Sequence, residues 1–261
     1  MRAAIITGAS SGIGRQFALQ LYNKGEADFF YIVARRRERL AALKDELGGN
    51  AKIIEADLTT AEGIASVKEA LEGDNPSVQY LVNASGFGKF GDYSQLSERD
   101  VSDMIDLNVK ALVLITHMCV KYMPRGSHII QLGSGSCFTP LPNFNVYASS
   151  KSFVLHYTKA LKYELKPLGI SATAFCPGWV KTEFLGIATE DTSVRAPKKY
   201  SPLLDAERVV AKAIKDAKKG KVMSVTNWFT KLQHVMFKLL PDSILSRAWL
   251  SMLKKPNAGD K

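Results

Sequence analysis

Short apolar runs alternate with stretches of helical periodicity through most of the chain. Ala3 to Thr7, Asp28 to Ala34, Lys52 to Ala56, Gln79 to Asn83, Ser127 to Leu132 and Ile170 to Phe175 read as strands, and Lys221 to Val225 as a last one. Gly12 to Lys24 and Arg36 to Leu47 read as helices. Strands that are apolar nearly throughout have no solvent face, so helices must cover both sides of a parallel sheet. The pattern predicts a doubly wound α/β fold. No repeat, low-complexity tract or Gly/Ser/Pro-rich linker divides it, so residues 1–261 are expected to form a single domain.

The character changes after Pro177. Residues 186–202 have weak periodicity and many polar positions, the length and composition of a substrate lid. Further on, Trp228, Phe229, Leu232, Val235, Met236, Leu239 and Leu240 mark one apolar helical face, ended by Pro241. Ile244, Leu245, Ala248, Trp249, Met252 and Leu253 mark a second, capped by Asp242 or Ser243. These helices, over 228–253, are expected to pack in the core or a dimer interface, or to touch a membrane surface with the help of Lys231 and Lys238.

Composition narrows the class. With 46% apolar residues and 23% charged, the chain is neither disordered nor fibrous. Strand pattern begins at Ala3, which leaves no room for a signal peptide, and the uncharged run from Ala111 to Val120 is about half a bilayer span. Cys119, Cys137 and Cys176 lack metal-ligand spacing and cannot all pair. A reducing, cytoplasmic setting without metal or disulfide framework is expected. The net charge is +10, and residues 197–261, with fourteen Lys/Arg against five Asp/Glu, carry +9 of it. Interleaved exposed aromatics and a reading module are lacking there, so nucleic acid is not an expected partner.

Candidate chemistry starts at Thr7-Gly8-Ala9-Ser10-Ser11-Gly12-Ile13-Gly14, between the first strand and the first helix. Glycines there let the backbone approach a pyrophosphate, whose charge suits the helix N-terminus. About 20 residues on, where a carboxylate would accept from the adenosine ribose, stand Ala34 and then Arg35-Arg36-Arg37. Guanidinium groups hold a phosphate in bidentate fashion, so this run favours NADP(H) over NAD(H).

Tyr147 and Lys151 lie four apart, on one helical face. Chance supplies about one such pair in a chain of this composition, so the pair alone is weak. Ser134 strengthens it, standing just past the Ser127 to Leu132 strand on the sheet edge where ligands of open α/β folds bind. Ser136 is a rival serine. Phe87, Phe90, Phe138, Phe144, Trp179, Phe184 and Leu185 follow strand ends and could line an apolar pocket. They suggest a lipophilic ketone, aldehyde or secondary alcohol.

In combination these motifs resemble the short-chain dehydrogenase/reductase family, in its compact branch, from about residue 3 to residue 185. The resemblance implies a Rossmann fold and hydride transfer between a nicotinamide and a carbonyl or alcohol carbon. Gly8, Ser10, Ser11, Gly12, Ile13 and Gly14 would form the cofactor turn, with Arg35 and Arg36 on the 2′-phosphate and Asp57-Leu58 at the adenine. Asn108, Ser134, Tyr147 and Lys151 match the family's tetrad. Tyr147 would be the acid/base, its pKa depressed by Lys151 and the oxidised cofactor. Ser134 would bind the carbonyl oxygen, Lys151 the nicotinamide ribose, and Asn108 a relay water. Pro177, Gly178, Val180 and Thr182 match the loop that holds the nicotinamide. The chain departs at Asn83-Ala84-Ser85-Gly86, where the family has Asn-Asn-Ala-Gly, so Ser85 or water would replace an amide. The resemblance also implies a homodimer or homotetramer through the helices of Asn108 and Tyr147. A catalytically silent NADP(H)-binding regulator is the rival expectation.

Overall fold

The computed structural model describes residues 1–190, 194–226 and 228–253, with the backbone alone at Trp228, Phe229, Gln233 and Lys238. Lys254, Lys255, Asp260 and Lys261 of the basic tail, and the side chains of Trp228, Phe229 and Lys238, lie outside the described residues.

Seven strands form one parallel sheet in the order β3-β2-β1-β4-β5-β6-β7. They are β1 (Arg2–Thr7), β2 (Phe29–Ala34), β3 (Ala51–Glu55), β4 (Ser77–Asn83), β5 (His128–Leu132), β6 (Ser171–Cys176) and β7 (Met223–Val225). Every strand read from the sequence is present, with ends moved by one or two residues. Along β1 the period of two divides the core: Ala4 and Ile6 face one side, Ala3 and Ile5 the other. The first side is covered by α1 (Gly12–Asn23), α2 (Arg37–Glu46) and, beyond β6, α8 (Ala206–Lys218), through Phe17, Leu40, Leu43, Val210 and Ile214. The other is covered by α3 (Ala61–Asp74), α5 (Leu112–Val120) and α6 (Asn145–Glu164), through Val67, Leu71, Ile115, Cys119 and Leu161.

The chain reverses direction across the sheet between β3 and β4, so the connections that leave the carboxyl ends of β1 and β4 run to opposite faces and open a crevice. Around that crevice stand α4 (Glu98–Ile105), a π-helical turn over Asp106–Ala111 leading into α5, a 3₁₀ turn over Gly135–Phe138, and α7 (Phe184–Ala188).

The C-terminal helices are α9 (Trp228–Leu239) and α10 (Asp242–Met252). They do not bury the full stripes read from the sequence. Leu245 and Leu253 are buried, whereas Leu232, Val235, Met236, Leu239 and Ile244 are exposed. On its inner side α10 folds back over the crevice. Trp249 Nε1 donates to Pro142 O at 2.8 Å, and Lys198 N donates to Met252 O at 3.2 Å. The expected lid at 186–202 is therefore part of a short helix at its start and pinned to α10 near its end; Asp191, Thr192 and Ser193 lie outside the described residues. Among the described residues no helix is long and apolar enough to cross a membrane.

Candidate active site

The crevice opens into a groove of about 240 Å³ whose floor is the turn after β1. Gly8 has φ of +68°, and a Cβ there would lie 2.8 Å from Ala84 O, so the turn excludes a side chain on both counts. Ser11 caps α1 without a side-chain hydrogen bond, and the first helical turn carries no acidic residue. The N-terminal amides and positive helix end are thus left facing the groove, an arrangement that fits a pyrophosphate. Of the residues expected to hold a cofactor, Gly8, Ser10, Ser11, Gly12, Ile13, Gly14, Arg35, Arg36, Asp57, Leu58, Ala84, Ser85 and Thr182 line it.

Arg36 turns across the glycine loop. Its Nη2 donates to Ser11 Oγ at 2.8 Å and to Ser10 Oγ at 3.1 Å, and its Nη1 to Glu183 Oε2 at 2.8 Å. Arg35 points outward and reaches Asp57 only at 3.7 Å. Burial acts to raise the Asp57 carboxyl, but donation from Thr59 N and Oγ1 outweighs it and, with Arg35 nearby, leaves the pKa below the usual range. Of the two arginines, Arg36 is the one turned over the glycine loop with its Nη1 on a carboxylate, a place that fits a phosphate on the adenosine ribose.

Asn83 is spent elsewhere. Its Nδ2 donates to Thr116 Oγ1 and Gln131 Oε1, tying β4 to α5 and β5, and the residue lies beneath the groove wall. Beside it, Ala84 N and Ser85 N both donate to Thr7 Oγ1 at 3.1 Å, tying the end of β4 to that of β1.

At the other end of the groove the tetrad positions gather behind the lining residues Gly86, Phe87 and Leu132. Tyr147 and Lys151 lie on the buried face of α6. Lys151 Nζ donates to Leu132 O at 2.8 Å and sits 5.6 Å from the Tyr147 ring centre. Ser134 heads the 3₁₀ turn, accepting from Ser136 N at 3.1 Å, and its hydroxyl faces the Tyr147 phenol. Gly86 and Gly88 let the post-β4 loop press against this group. A Cβ on Gly86 would meet Asn108 Oδ1 at 2.7 Å and Lys151 Nζ at 3.1 Å, and one on Gly88 would meet the Tyr147 ring at 2.6 Å. Ser136, the rival serine, has its hydroxyl buried without a hydrogen-bond partner.

Asn108 stands on the π-helical turn, a local widening that often marks functional sites. Its side chain is bound to protein: Oδ1 accepts from Phe87 N at 3.1 Å, while Nδ2 donates to Phe87 O at 2.9 Å and Ser150 Oγ at 3.1 Å. Both amide hydrogens are used, so a relay water at this position would be held mainly by the backbone.

Burial governs the ionisable groups here. It raises the Tyr147 phenol well above its ordinary pKa, and the Ser134 hydroxyl offsets only part of that. It lowers the Lys151 ammonium to about 8. Burial thus works against the depression of Tyr147 expected from its lysine and the oxidised cofactor. Both groups lose hydration together, and burial opposes a charge on either.

Pro177, Gly178 and Val180 run beside the groove rather than along its wall. Pro177 O accepts from Gly135 N at 2.7 Å, Gly178 N approaches Thr226 Oγ1 at 3.5 Å, and buried Val180 bridges to Leu204. Of the expected apolar pocket, Phe87, Phe90, Phe144, Trp179 and Phe184 cluster with Tyr147. Phe138 leaves that set: it packs in a neighbouring cluster with Cys137 and Cys176 and stacks on His234 of α9. Leu185 is also outside the cluster. Trp249 joins it from α10, a contribution that periodicity could not foretell. Glu183, Phe184 and Ile187 roof the groove. The first two follow Thr182 directly in the chain, and that adjacency was the available signal for Glu183. Cys137 and Cys176 are thiols 3.8 Å apart, and among the described residues no group of His, Cys, Asp and Glu could hold a metal ion.

Known proteins are similar to this chain in sequence and fold. A short chain dehydrogenase family model matches residues 2–193. An uncharacterized oxidoreductase of Staphylococcus epidermidis is 30% identical over 211 residues, 80% of this chain and 89% of that protein. An inactive hydroxysteroid dehydrogenase-like protein 1 of Homo sapiens is 31% identical over 190 residues, 69% of this chain and 56% of its own length. The structure of a short-chain dehydrogenase from Sphingobium yanoikuyae in complex with NADPH superposes with a TM-score of 0.77 at 26% identity, covering 100% of this chain and 99% of that one. The family match over most of the chain and the shared fold show that the chain belongs to the short-chain dehydrogenase family of oxidoreductases.

Proposed function

We propose that the protein is an NADP(H)-dependent reductase of lipophilic ketones or aldehydes, with Tyr147 as proton donor. The observation that carries this reading is a single groove lined at one end by Arg36 and at the other by Leu132 and Phe184, which touch Lys151 and Tyr147. NADP(H), when bound, supplies the hydride. The amides of the glycine turn hold the pyrophosphate, Arg36 with Arg35 nearby holds the 2′-phosphate, and Asp57-Leu58 border the adenine. Pro177, Gly178, Val180 and Thr182 position the nicotinamide end.

Tyr147 holds its proton firmly because it is buried, which is the form that donates to a carbonyl oxygen as negative charge develops there. Ser134 donates a second hydrogen bond to that oxygen. Lys151, anchored on Leu132 O, favours transient phenolate and binds the nicotinamide ribose. Asn108 fixes Phe87 and, through Ser150, the helix backbone at Tyr147. Overall, carbonyl, reduced cofactor and one proton give alcohol and oxidised cofactor. Residues 194–202, braced by α10 at Lys198, border the substrate side, where Phe90, Phe144, Phe184 and Trp249 favour an apolar molecule.

The test is NADPH consumption across a panel of ketones and aldehydes, with NADH run in parallel. NADPH-dependent turnover of apolar members is expected. A preference for NADH would contradict the role of Arg36. Tight NADPH binding with no turnover on any member would favour the silent regulator, a reading kept in view by the inactive human relative. Ile105, Leu114 and Phe153, exposed on the helices around Asn108 and Tyr147, support a homo-oligomer, which light scattering on the purified protein would detect. The exposed apolar residues of α9, beside Lys231, support a peripheral membrane contact testable by flotation with anionic vesicles.

A further inference from the structure

The adenosine end of the groove is strapped shut from above. A Cβ on Gly12 would lie 3.1 Å from the Thr182 methyl, so Thr182 rests directly on the glycine turn. The next residue, Glu183, crosses to the segment after β2 and binds two arginines. Its Oε2 accepts from Arg36 Nη1 at 2.8 Å and its Oε1 accepts from Arg39. Arg39 and then Arg36 push its pKa down to about 2, so the group is a carboxylate throughout the working range. One carboxylate shared by two guanidinium groups is an occupied anion site, and Glu183, Arg36, Ser10 and Ser11 all line the groove.

We propose that Glu183 is a built-in competitor of the cofactor's 2′-phosphate: its carboxylate fills the anion site of Arg36 and Arg39, and an arriving 2′-phosphate must displace it. The inference rests on the NADP(H) reading above and deepens it. The alternative, that Glu183 merely aims Arg36, is weakened by the other bonds of that guanidinium. Nε and Nη2 are already held by Ser10 and Ser11, at 3.3, 3.1 and 2.8 Å, so Arg36 keeps its direction without Glu183. Nη1 is the corner turned to the carboxylate, and a phosphate gains that corner at the expense of Glu183. Displacement has a second consequence. Glu183 leads into α7, where Phe184 lies 5.2 Å from the Tyr147 ring, so release at the arginines loosens the roof beside the proton donor. NADH, without a 2′-phosphate, would leave the strap in place.

Glu183→Gln keeps the shape and removes the charge at a half-exposed position, so folding is spared. Calorimetric titrations without substrate give the test, using NADPH and 2′,5′-ADP against NADH and 5′-ADP. Two exposed ion pairs are together worth about a three- to tenfold gain in NADPH and 2′,5′-ADP affinity, with NADH and 5′-ADP changing by less than about twofold. Weaker NADPH binding by the variant would show that Glu183 positions the arginines and would overturn the proposal. Unchanged NADPH binding would also overturn it. Equal binding of NADPH and NADH by the wild-type protein would instead remove the NADP(H) reading itself. The wild-type titrations therefore separate failure of that reading from failure of the strap.

Discussion

The two ends of the groove are built on opposite electrostatic plans. At the Tyr147 end, polar groups are buried and bonded to one another or to backbone carbonyls, and burial shifts Tyr147 and Lys151 away from their charged forms. At the Arg36 end, side chains are partly exposed and paired with carboxylates, as in Arg36 and Arg39 with Glu183 and Arg35 with Asp57. Removing one partner at the buried end leaves an unsatisfied group that water cannot reach. At the exposed end water and salt screen every charge, so each contact is modest and replaceable. The difference teaches where chemistry and where recognition should fail under mutation.

The largest effect should come from the buried end. Tyr147→Phe keeps the ring that packs on Phe144 and Phe184 and removes the proton donor. Carbonyl turnover should fall by about 10²- to 10⁴-fold in steady-state assays while calorimetric NADPH binding stays within about threefold. At the exposed end, Arg36→Ala should weaken NADPH by about ten- to a hundredfold, leave NADH nearly unchanged, and flatten the salt dependence of NADPH binding. A comparable loss for NADH would erase the contrast between the two ends.

A third effect concerns pH. Lys151 titrates near 8 in the fold and near the ordinary lysine value when unfolded, because burial disfavours its charge. Between those values the unfolded chain binds more protons, so this lysine makes stability rise with pH through that window. Lys151→Met should flatten the rise, a difference on the order of a few kcal/mol between about pH 7 and about pH 10 in urea unfolding. The smallest effect is expected for Ser85→Ala, since the hydrogen bond there comes from the backbone amide. Its stability should move by less than about 0.5 kcal/mol and its NADPH affinity by less than twofold.

Much of the scaffold was legible in the chain because short, nearly continuous apolar runs and a glycine turn are local signals. The strand from Ala3 places the turn at Gly8, and the turn places the crevice. The tetrad was legible as a set of residues in order, but not as a set of bonds. Asn108 looked like a water-holding amide, yet its side chain clamps Phe87, because the π-helical turn reorients it toward a loop distant in sequence. Arg35 and Arg36 are neighbours with similar claims on a phosphate, and only the packing of Ser10 and Ser11 separates them. Asn83 is drawn below the groove by Gln131 and Thr116, partners forty-eight and thirty-three residues away. Trp249 reaches the aromatic cluster because α10 doubles back, a tertiary choice that an amphipathic stripe cannot disclose.

The most direct test of hydride transfer in this groove follows isotope from cofactor to product. With NADPH carrying deuterium at the transferable C4 position, the alcohol formed from an apolar ketone should carry one deuterium on its carbinol carbon. Alcohol formed without that label, or no alcohol from any ketone or aldehyde despite bound NADPH, would contradict the account.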